Sequence, residues 1–81
     1  MTSFTSAAEV DVNAYYFAGR DMQSYPRRAF VRGHQVTFRD GLRVRLGTEG
    51  HTSYVYNMMS ESGHCYRLRQ DGNQWTLVGV L

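Results

Sequence analysis

Four arginines that alternate with apolar residues carry the clearest candidate chemistry in this chain of 81 residues. They are Arg43 and Arg45 in the run 42–46, and Arg67 and Arg69 in the run 66–69. Guanidinium groups bind carboxylates and phosphates with paired hydrogen bonds and stack on aromatic rings. Because successive side chains of a β-strand point to opposite faces, the alternation predicts four guanidiniums on one face of a sheet.

Two tyrosines, Tyr54 and Tyr56, lie between these arginine runs in the chain. If their rings point outward, they lie between two arginine rows about 10 Å apart, a surface that could stack bases, bind phosphates or grip an acidic peptide. If Val55 points outward instead, the tyrosines are core residues and the arginines form a solvated face. The predicted partner-binding set is Arg43, Arg45, Tyr54, Tyr56, Arg67 and Arg69.

Cys65 is the single cysteine of the chain, so no intramolecular disulfide can form. Strand alternation places it on the face of Arg67 and Arg69, and nearby positive charge lowers the pKa of a thiol and increases its reactivity. Cys65 is therefore a candidate redox-sensing residue. No histidine or carboxylate is positioned as its base, so no catalytic residue is predicted and the chain is not expected to be an enzyme.

Metal and cofactor sites are not predicted. The candidate metal ligands His34, His51, His64 and Cys65 match no common zinc spacing, and the adjacent pair His64 and Cys65 would point to opposite faces of a strand. The glycines are spaced as hairpin turns and form no phosphate-binding loop.

Charge is unevenly divided along the chain. Residues 1–26 carry a net charge of −2, whereas residues 27–81 carry eight arginines against four acids, a net of +4. This basic character is weaker than that of dedicated nucleic-acid-binding domains, so nucleic-acid binding is the second functional hypothesis and not the first.

The positions of these residues depend on a sheet that the C-terminal two-thirds of the chain predicts. Alternating runs near 28–32, 34–39, 42–46, 52–59, 64–70 and 74–80 are separated by glycine-bearing turns, of which Asp40-Gly41 has the strongest type I′ signature. We therefore expect a mainly β fold, a five- or six-stranded antiparallel meander that forms a small barrel or half-barrel. Alternation predicts these inward residues: Val36, Phe38, Leu42, Val44, Leu46, Tyr66, Leu68, Trp75 and Leu77.

The N-terminal third allows two interpretations. Residues 1–6 are predicted to be a flexible tail before one domain, 7–81. Residues 7–19 are either a short helix, since Ser6 and Glu9 fit a capping box and Gly19 a C-terminal cap, or a strand, since apolar residues also alternate there. The helix is the preferred interpretation, packed on the meander. Residues 20–27 are expected to be a connector, because Pro26 opposes a helix through it.

These features predict a small non-catalytic binding module that contacts a protein, or a second copy of itself, through the Arg/Tyr face or the N-terminal segment. Single-stranded nucleic-acid binding through the same face is the alternative, and a redox-sensitive or enzymatic domain centred on Cys65 is third. The chain shows no signal peptide and no apolar run of membrane-spanning length, so a cytoplasmic protein without membrane contact is expected.

Overall fold

The computed structural model describes residues 8–48 and 50–81, which form six antiparallel β-strands in a closed barrel. Each strand pairs with the next, and the first pairs with the last. The predicted mainly β fold is confirmed, and the predicted tail 1–6 lies outside the described residues. No helix in the described ranges is long and apolar enough to cross a membrane. The strands are β1 (Ala8–Ala18), β2 (Gln23–Val31), β3 (His34–Thr48), β4 (His51–Ser60), β5 (Cys65–Asp71) and β6 (Gln74–Val80).

The N-terminal segment is a strand, so the preferred helix was wrong and the strand alternative is confirmed. Val10 is buried and Val12 packs against the core, as strand alternation requires. β1 pairs with β2 along most of its length and with β6 through residues 8–10, so these ladders use backbone groups that a helix would have paired internally. Gly19, with φ of 85°, serves the turn into β2 and not a helix cap.

The predicted connector 20–27 is also corrected, because β2 begins at Gln23 and runs through the buried Pro26. Proline has no N–H to donate and is tolerated where a strand is paired on one side only. β3 pairs with β2 only from Arg28 onward, and the β1–β2 ladder shifts register near Tyr15, the partner of Pro26. The proline therefore interrupts no complete ladder.

The β2–β3 hairpin closes on two residues, Arg32 and Gly33, with φ of 53° and 80°. Two consecutive positive φ angles are typical of the type I′ turn, which matches the twist of the flanking strands. β2 and β3 are therefore separate strands.

Strand β3 contains the largest departure from the sequence prediction. Asp40-Gly41 forms no turn, because β3 continues through both residues. Instead the β3–β4 register shifts between Phe38 and Asp40, which makes Arg39 the extra residue of a bulge. Gly41 is needed for close packing, since a Cβ there would lie 2.7 Å from the carbonyl oxygen of Asn57 and against the Met58 sulfur.

The bulge reverses the faces of the second half of β3. Phe38 is fully buried, but Leu42, Val44 and Leu46 are 71%, 48% and 42% exposed. Their predicted inward orientation was wrong, because one extra residue moves every later side chain to the other face. The inward positions of Phe38, Leu68, Trp75 and Leu77 are confirmed. The buried apolar core consists of Val10, Ala29, Val31, Phe38, Tyr56, Met58, Leu68, Trp75 and Leu77.

Candidate functional site

Arg43 lies on the inner side of the barrel. It pairs across the sheet with Tyr56, which is 1% exposed, and directly paired residues share a face. The Arg43 guanidinium carbon lies 3.9 Å from the ring centre of Tyr54 and 6.0 Å from that of Tyr56. Arg45 pairs with Tyr54 and shares the same side of β3. The structure therefore brings together four of the six predicted binding residues.

Arg67 and Arg69 lie on the other side of the sheet. Arg67 pairs with Asn57 and donates a hydrogen bond of 2.8 Å from Nε to its Oδ1. The Arg69 Nε lies 3.1 Å from the carboxylate Oδ2 of Asp71. The predicted common face of four arginines is therefore wrong, because the bulge in β3 inverts that strand relative to β5. A binding role for any of these residues stays a prediction.

Aromatic rings form a continuous layer beneath Arg43. Tyr56 contacts Trp75 with ring centres 4.9 Å apart and meets Tyr25 edge to face at 5.9 Å. Tyr25 stacks on Tyr16 at 5.4 Å. Large rings held by their neighbours would lose little further conformational freedom when a ligand binds. This aromatic layer therefore supports the side chains that pack on it.

Burial favours the neutral form of the Tyr56 hydroxyl. Its hydroxyl donates to Oε1 of Gln70 at 3.1 Å. Burial raises the pKa of Tyr56, although the charge of Arg43 and a hydrogen bond from Arg43 partly oppose the rise. A neutral phenol carries no negative charge that could balance the guanidinium of Arg43.

Arg43 is also incompletely satisfied. Its Nε is buried and has no hydrogen-bond partner among the described residues. Buried polar atoms are nearly always paired, and an exception needs a physical explanation. Among the residues that the structure describes, neither Arg43 nor Arg45 forms an ion pair with a carboxylate.

A second guanidinium–tyrosine pair, Arg27 and Tyr16, belongs to the same interior. The guanidinium carbon of Arg27 lies 4.1 Å from the Tyr16 ring centre, and its Nη1 donates to the carbonyl oxygen of Phe38 at 3.0 Å. Burial raises the pKa of Tyr16, while the charge of Arg27 lowers it in part. Unlike Arg43, Arg27 thus has a backbone partner.

A cavity of about 260 Å³ opens where these groups meet, lined by Gln23, Arg43, Arg45 and Tyr54. Its lining has two guanidiniums, an amide and a phenol, and among the described residues no carboxylate. The sequence did not predict Gln23 as a site residue, because Pro26 suggested that residues 20–27 form a connector. The alternation of Gln23, Tyr25 and Arg27 with smaller residues was the signal that could have identified a strand.

A larger cavity, of about 760 Å³, lies beside β1 and the β5–β6 turn. Its charged lining residues are Glu9, Asp11 and Asp71 with Arg32, so opposite charges are mixed there. It contains none of the predicted binding residues. The smaller cavity is the candidate site because it concentrates positive charge, and no acid in ranges 8–48 and 50–81 lines it.

Cys65, His34 and His64 do not line the smaller cavity. Cys65 is half-buried at the start of β5, where its carbonyl oxygen accepts a hydrogen bond of 2.8 Å from the Leu81 N–H. Among the described residues, no three His, Cys, Asp or Glu side chains are grouped to hold a metal ion. The redox role of Cys65 stays a prediction.

Comparison with protein-family models found no matching family, and neither curated proteins nor solved structures gave a match to the chain.

Proposed function

We propose that the protein is a small non-catalytic interaction module that binds an extended segment of another protein along β3. The observation that carries this proposal is the outward row Leu42, Val44 and Leu46, three successive same-face apolar side chains that are each more than two-fifths exposed. Single exposed apolar residues are ordinary on a protein surface, but a contiguous row is typical of an interaction site.

The edge of β3 supports the same proposal. β2 pairs with β3 only through residues 34–37, and residues 38–48 pair with β4 alone among the described strands. A strand with one unpaired edge offers backbone N–H and C=O groups to an incoming strand. Recognition by strand addition combines these backbone hydrogen bonds with side-chain contacts at alternate positions.

The charges along β3 indicate the chemistry of the partner. The outward positions are apolar, whereas Arg43 and Arg45 lie on the other side of β3, where Arg43 is half-buried and Arg45 is exposed. A complementary segment therefore alternates apolar residues with acidic ones. A second copy of this chain fits less well, because antiparallel pairing of two β3 strands centred on Val44 would place Arg43 opposite the Arg45 of the other copy. Like charges directly opposite one another destabilise a strand pair.

The predicted route through the N-terminal segment is not part of the proposal. Residues 8–18 form β1, which pairs with β2 and β6 and contributes the buried Val10. A segment already used to close the barrel is not free to be donated.

A synthetic peptide of alternating valine and glutamate, capped at both ends, tests the proposal by titration followed with NMR. We expect saturable shifts of β3 backbone amides, and slower hydrogen exchange at the β3 edge in the complex. The same peptide with lysine in place of glutamate should bind at least tenfold more weakly, since its charges oppose those of Arg43 and Arg45.

Matched variants locate the contact. Val44→Lys should abolish peptide binding, whereas Val78→Lys, at a site of similar exposure (54%) on β6, should leave it unchanged. Equal effects of the two variants, or shifts that are not concentrated in β3, would contradict the proposal.

Single-stranded nucleic acid remains the second candidate partner, supported by the unpaired charges of Arg43 and Arg45. Two observations weaken it: Arg67 and Arg69 lie on the opposite side, and the Arg43 guanidinium already covers one face of Tyr54. A single-stranded oligonucleotide at low salt should bind more tightly than the glutamate peptide if this candidate is right, and its affinity should fall steeply with salt.

A further inference from the structure

We propose that the cavity between Arg43 and Arg45 binds a phosphomonoester dianion. The inference is independent of strand addition, because a small anion needs no extended segment and no unpaired strand edge. It depends on the cavity and on the unsatisfied charge within it.

The charge of the cavity selects a dianion. Two guanidiniums line it, Gln23 and Tyr54 add neutral hydrogen-bonding groups, and no carboxylate of the described residues lines it. In the described part of the chain neither arginine is paired with an acid, so about two positive charges are available to a ligand. A phosphomonoester carries nearly two negative charges near neutral pH and three acceptor oxygens. A single carboxylate would balance only half of this charge.

The geometry orients the donors before any ligand arrives. The Arg43 guanidinium carbon lies 3.9 Å from the Tyr54 ring centre, a contact that restricts where its N–H groups can lie. Arg43 and Arg45 lie two residues apart on one strand, so their backbones are separated by about 6.6 Å. Long side chains at this spacing can converge on one phosphate group.

The buried Nε of Arg43 supports the phosphate site independently of the charge of the cavity. This donor has no hydrogen-bond partner among the described residues, although Tyr56 and Tyr54 pack close to it. A phosphate oxygen in the cavity would give the guanidinium a charge-assisted partner, which is stronger than a neutral hydrogen bond. The cost of burying this positive group is thereby offset by the ligand.

Inorganic phosphate and phenyl phosphate are the probes, added to ¹⁵N-labelled protein at constant ionic strength against sodium chloride. We expect saturable shifts of the Arg43 and Arg45 side-chain Nε–H signals with both phosphates and none with chloride. Arg45→Gln should weaken phosphate binding about tenfold, the usual effect of losing one charge-assisted hydrogen bond. Arg45 is exposed, so this variant should fold like the parent.

Arg67→Gln is the matched control, because it removes the same charge from the outer side of the sheet. It should change phosphate affinity less than about twofold, the effect of screened charge alone. Equal weakening by Arg67→Gln and Arg45→Gln would overturn the proposal, as would shifts that grow linearly with phosphate without saturating.

A short peptide with one phosphoserine, beside its unphosphorylated form, identifies the source of the phosphate group. Tighter binding of the phosphopeptide than of phenyl phosphate assigns a phosphorylated protein, and equal binding assigns a free monoester. Both results support the site. Equal binding of the phosphorylated and unphosphorylated peptides would contradict it.

Discussion

Strands β3 and β5 carry the same alternation of arginine and apolar residues but present it in opposite senses. On β5, Leu68 is buried and Arg67 is exposed. On β3, Leu42 is exposed and Arg43 lies inside over Tyr54. Alternation of residue types therefore defines the two faces of a strand but does not determine which face is inside. A single bulge before Gly41 decides it.

The inversion has a functional consequence. Because β3 turns its arginines inward, positive charge lies beside the aromatic layer and the aliphatic side chains face water. Because β5 keeps the regular orientation, its Arg67 and Arg69 find polar partners on the outer surface, Asn57 and Asp71. Both proposed contacts, the apolar row and the phosphate cavity, are located on the inverted strand.

Replacing one leucine on each strand by alanine tests whether β3 is inverted relative to β5, and should produce the largest change in stability. Leu68→Ala should reduce the free energy of unfolding by about 2–5 kcal/mol, since it leaves a cavity in the core. Leu42→Ala should change it by less than about 0.5 kcal/mol, since that side chain is mostly in water. Urea denaturation measures both. Equal losses would mean that β3 is not inverted.

The glycines of β3 provide the next test. Gly41→Ala should cost about 1–3 kcal/mol of unfolding free energy, because its new methyl group would overlap the Asn57 carbonyl and the Met58 side chain. Gly47→Ala, on the same strand with no atom within 4 Å of the new Cβ, should cost less than about 0.5 kcal/mol. A tolerated Gly41→Ala would argue against the close approach of β3 and β4.

The arginines should differ by a smaller amount. Arg43→Ala removes a guanidinium that lies over the Tyr54 ring and near that of Tyr56, and should lower the free energy of unfolding by about 1–2 kcal/mol. Arg67→Ala removes an exposed hydrogen bond to Asn57 and should cost less than about 0.5 kcal/mol. If thermal or urea denaturation ranks them in the reverse order, the inner position of Arg43 is wrong.

The smallest effect concerns alkaline pH. Burial raises the pKa of Tyr56 above its ordinary value of 10.0, so between the two pKa values the unfolded chain has lost a proton that the folded chain keeps. The stabilising contribution is therefore complete below pH 10 and is lost as pH rises through the folded pKa. Stability measured from pH 8 to 11 should fall less steeply in Tyr56→Phe than in the parent. Identical slopes would show that Tyr56 titrates as an exposed tyrosine.

The regular hairpins could be predicted from the sequence for a physical reason. Where glycine-bearing turns separate alternating runs, as around Gly63 and Gly72, the turn fixes the register and the alternation fixes the faces. Leu68, Trp75 and Leu77 therefore point inward as predicted. A small barrel was one of two architectures that the sequence predicted, since curling limits exposed strand edges, and alternation alone did not distinguish it from a half-barrel.

The β3 inversion could not be predicted, because Asp40-Gly41 has the same residue types that a hairpin turn requires. The real need for Gly41 is lack of space beside Asn57, a tertiary property that one sequence does not reveal. Pro26 misled in a similar way. A proline suggests that the strand ends there. Pro26 is nevertheless tolerated inside β2, because only β1 pairs with that part of the strand. The cavity proposed to bind phosphate depends on the β3 bulge, which positions Arg43 and Arg45, and on the continuation of β2 through Pro26, which positions Gln23.

Solvent paramagnetic relaxation of methyl groups tests the inversion of β3 most directly. With a soluble gadolinium chelate, the methyl signals of Leu42, Val44 and Leu46 should broaden strongly, while those of Leu68 and Leu77 should stay sharp. Protected methyls at Leu42, Val44 and Leu46 would place them in the core, return Arg43 to the outer face, and remove both proposed binding sites.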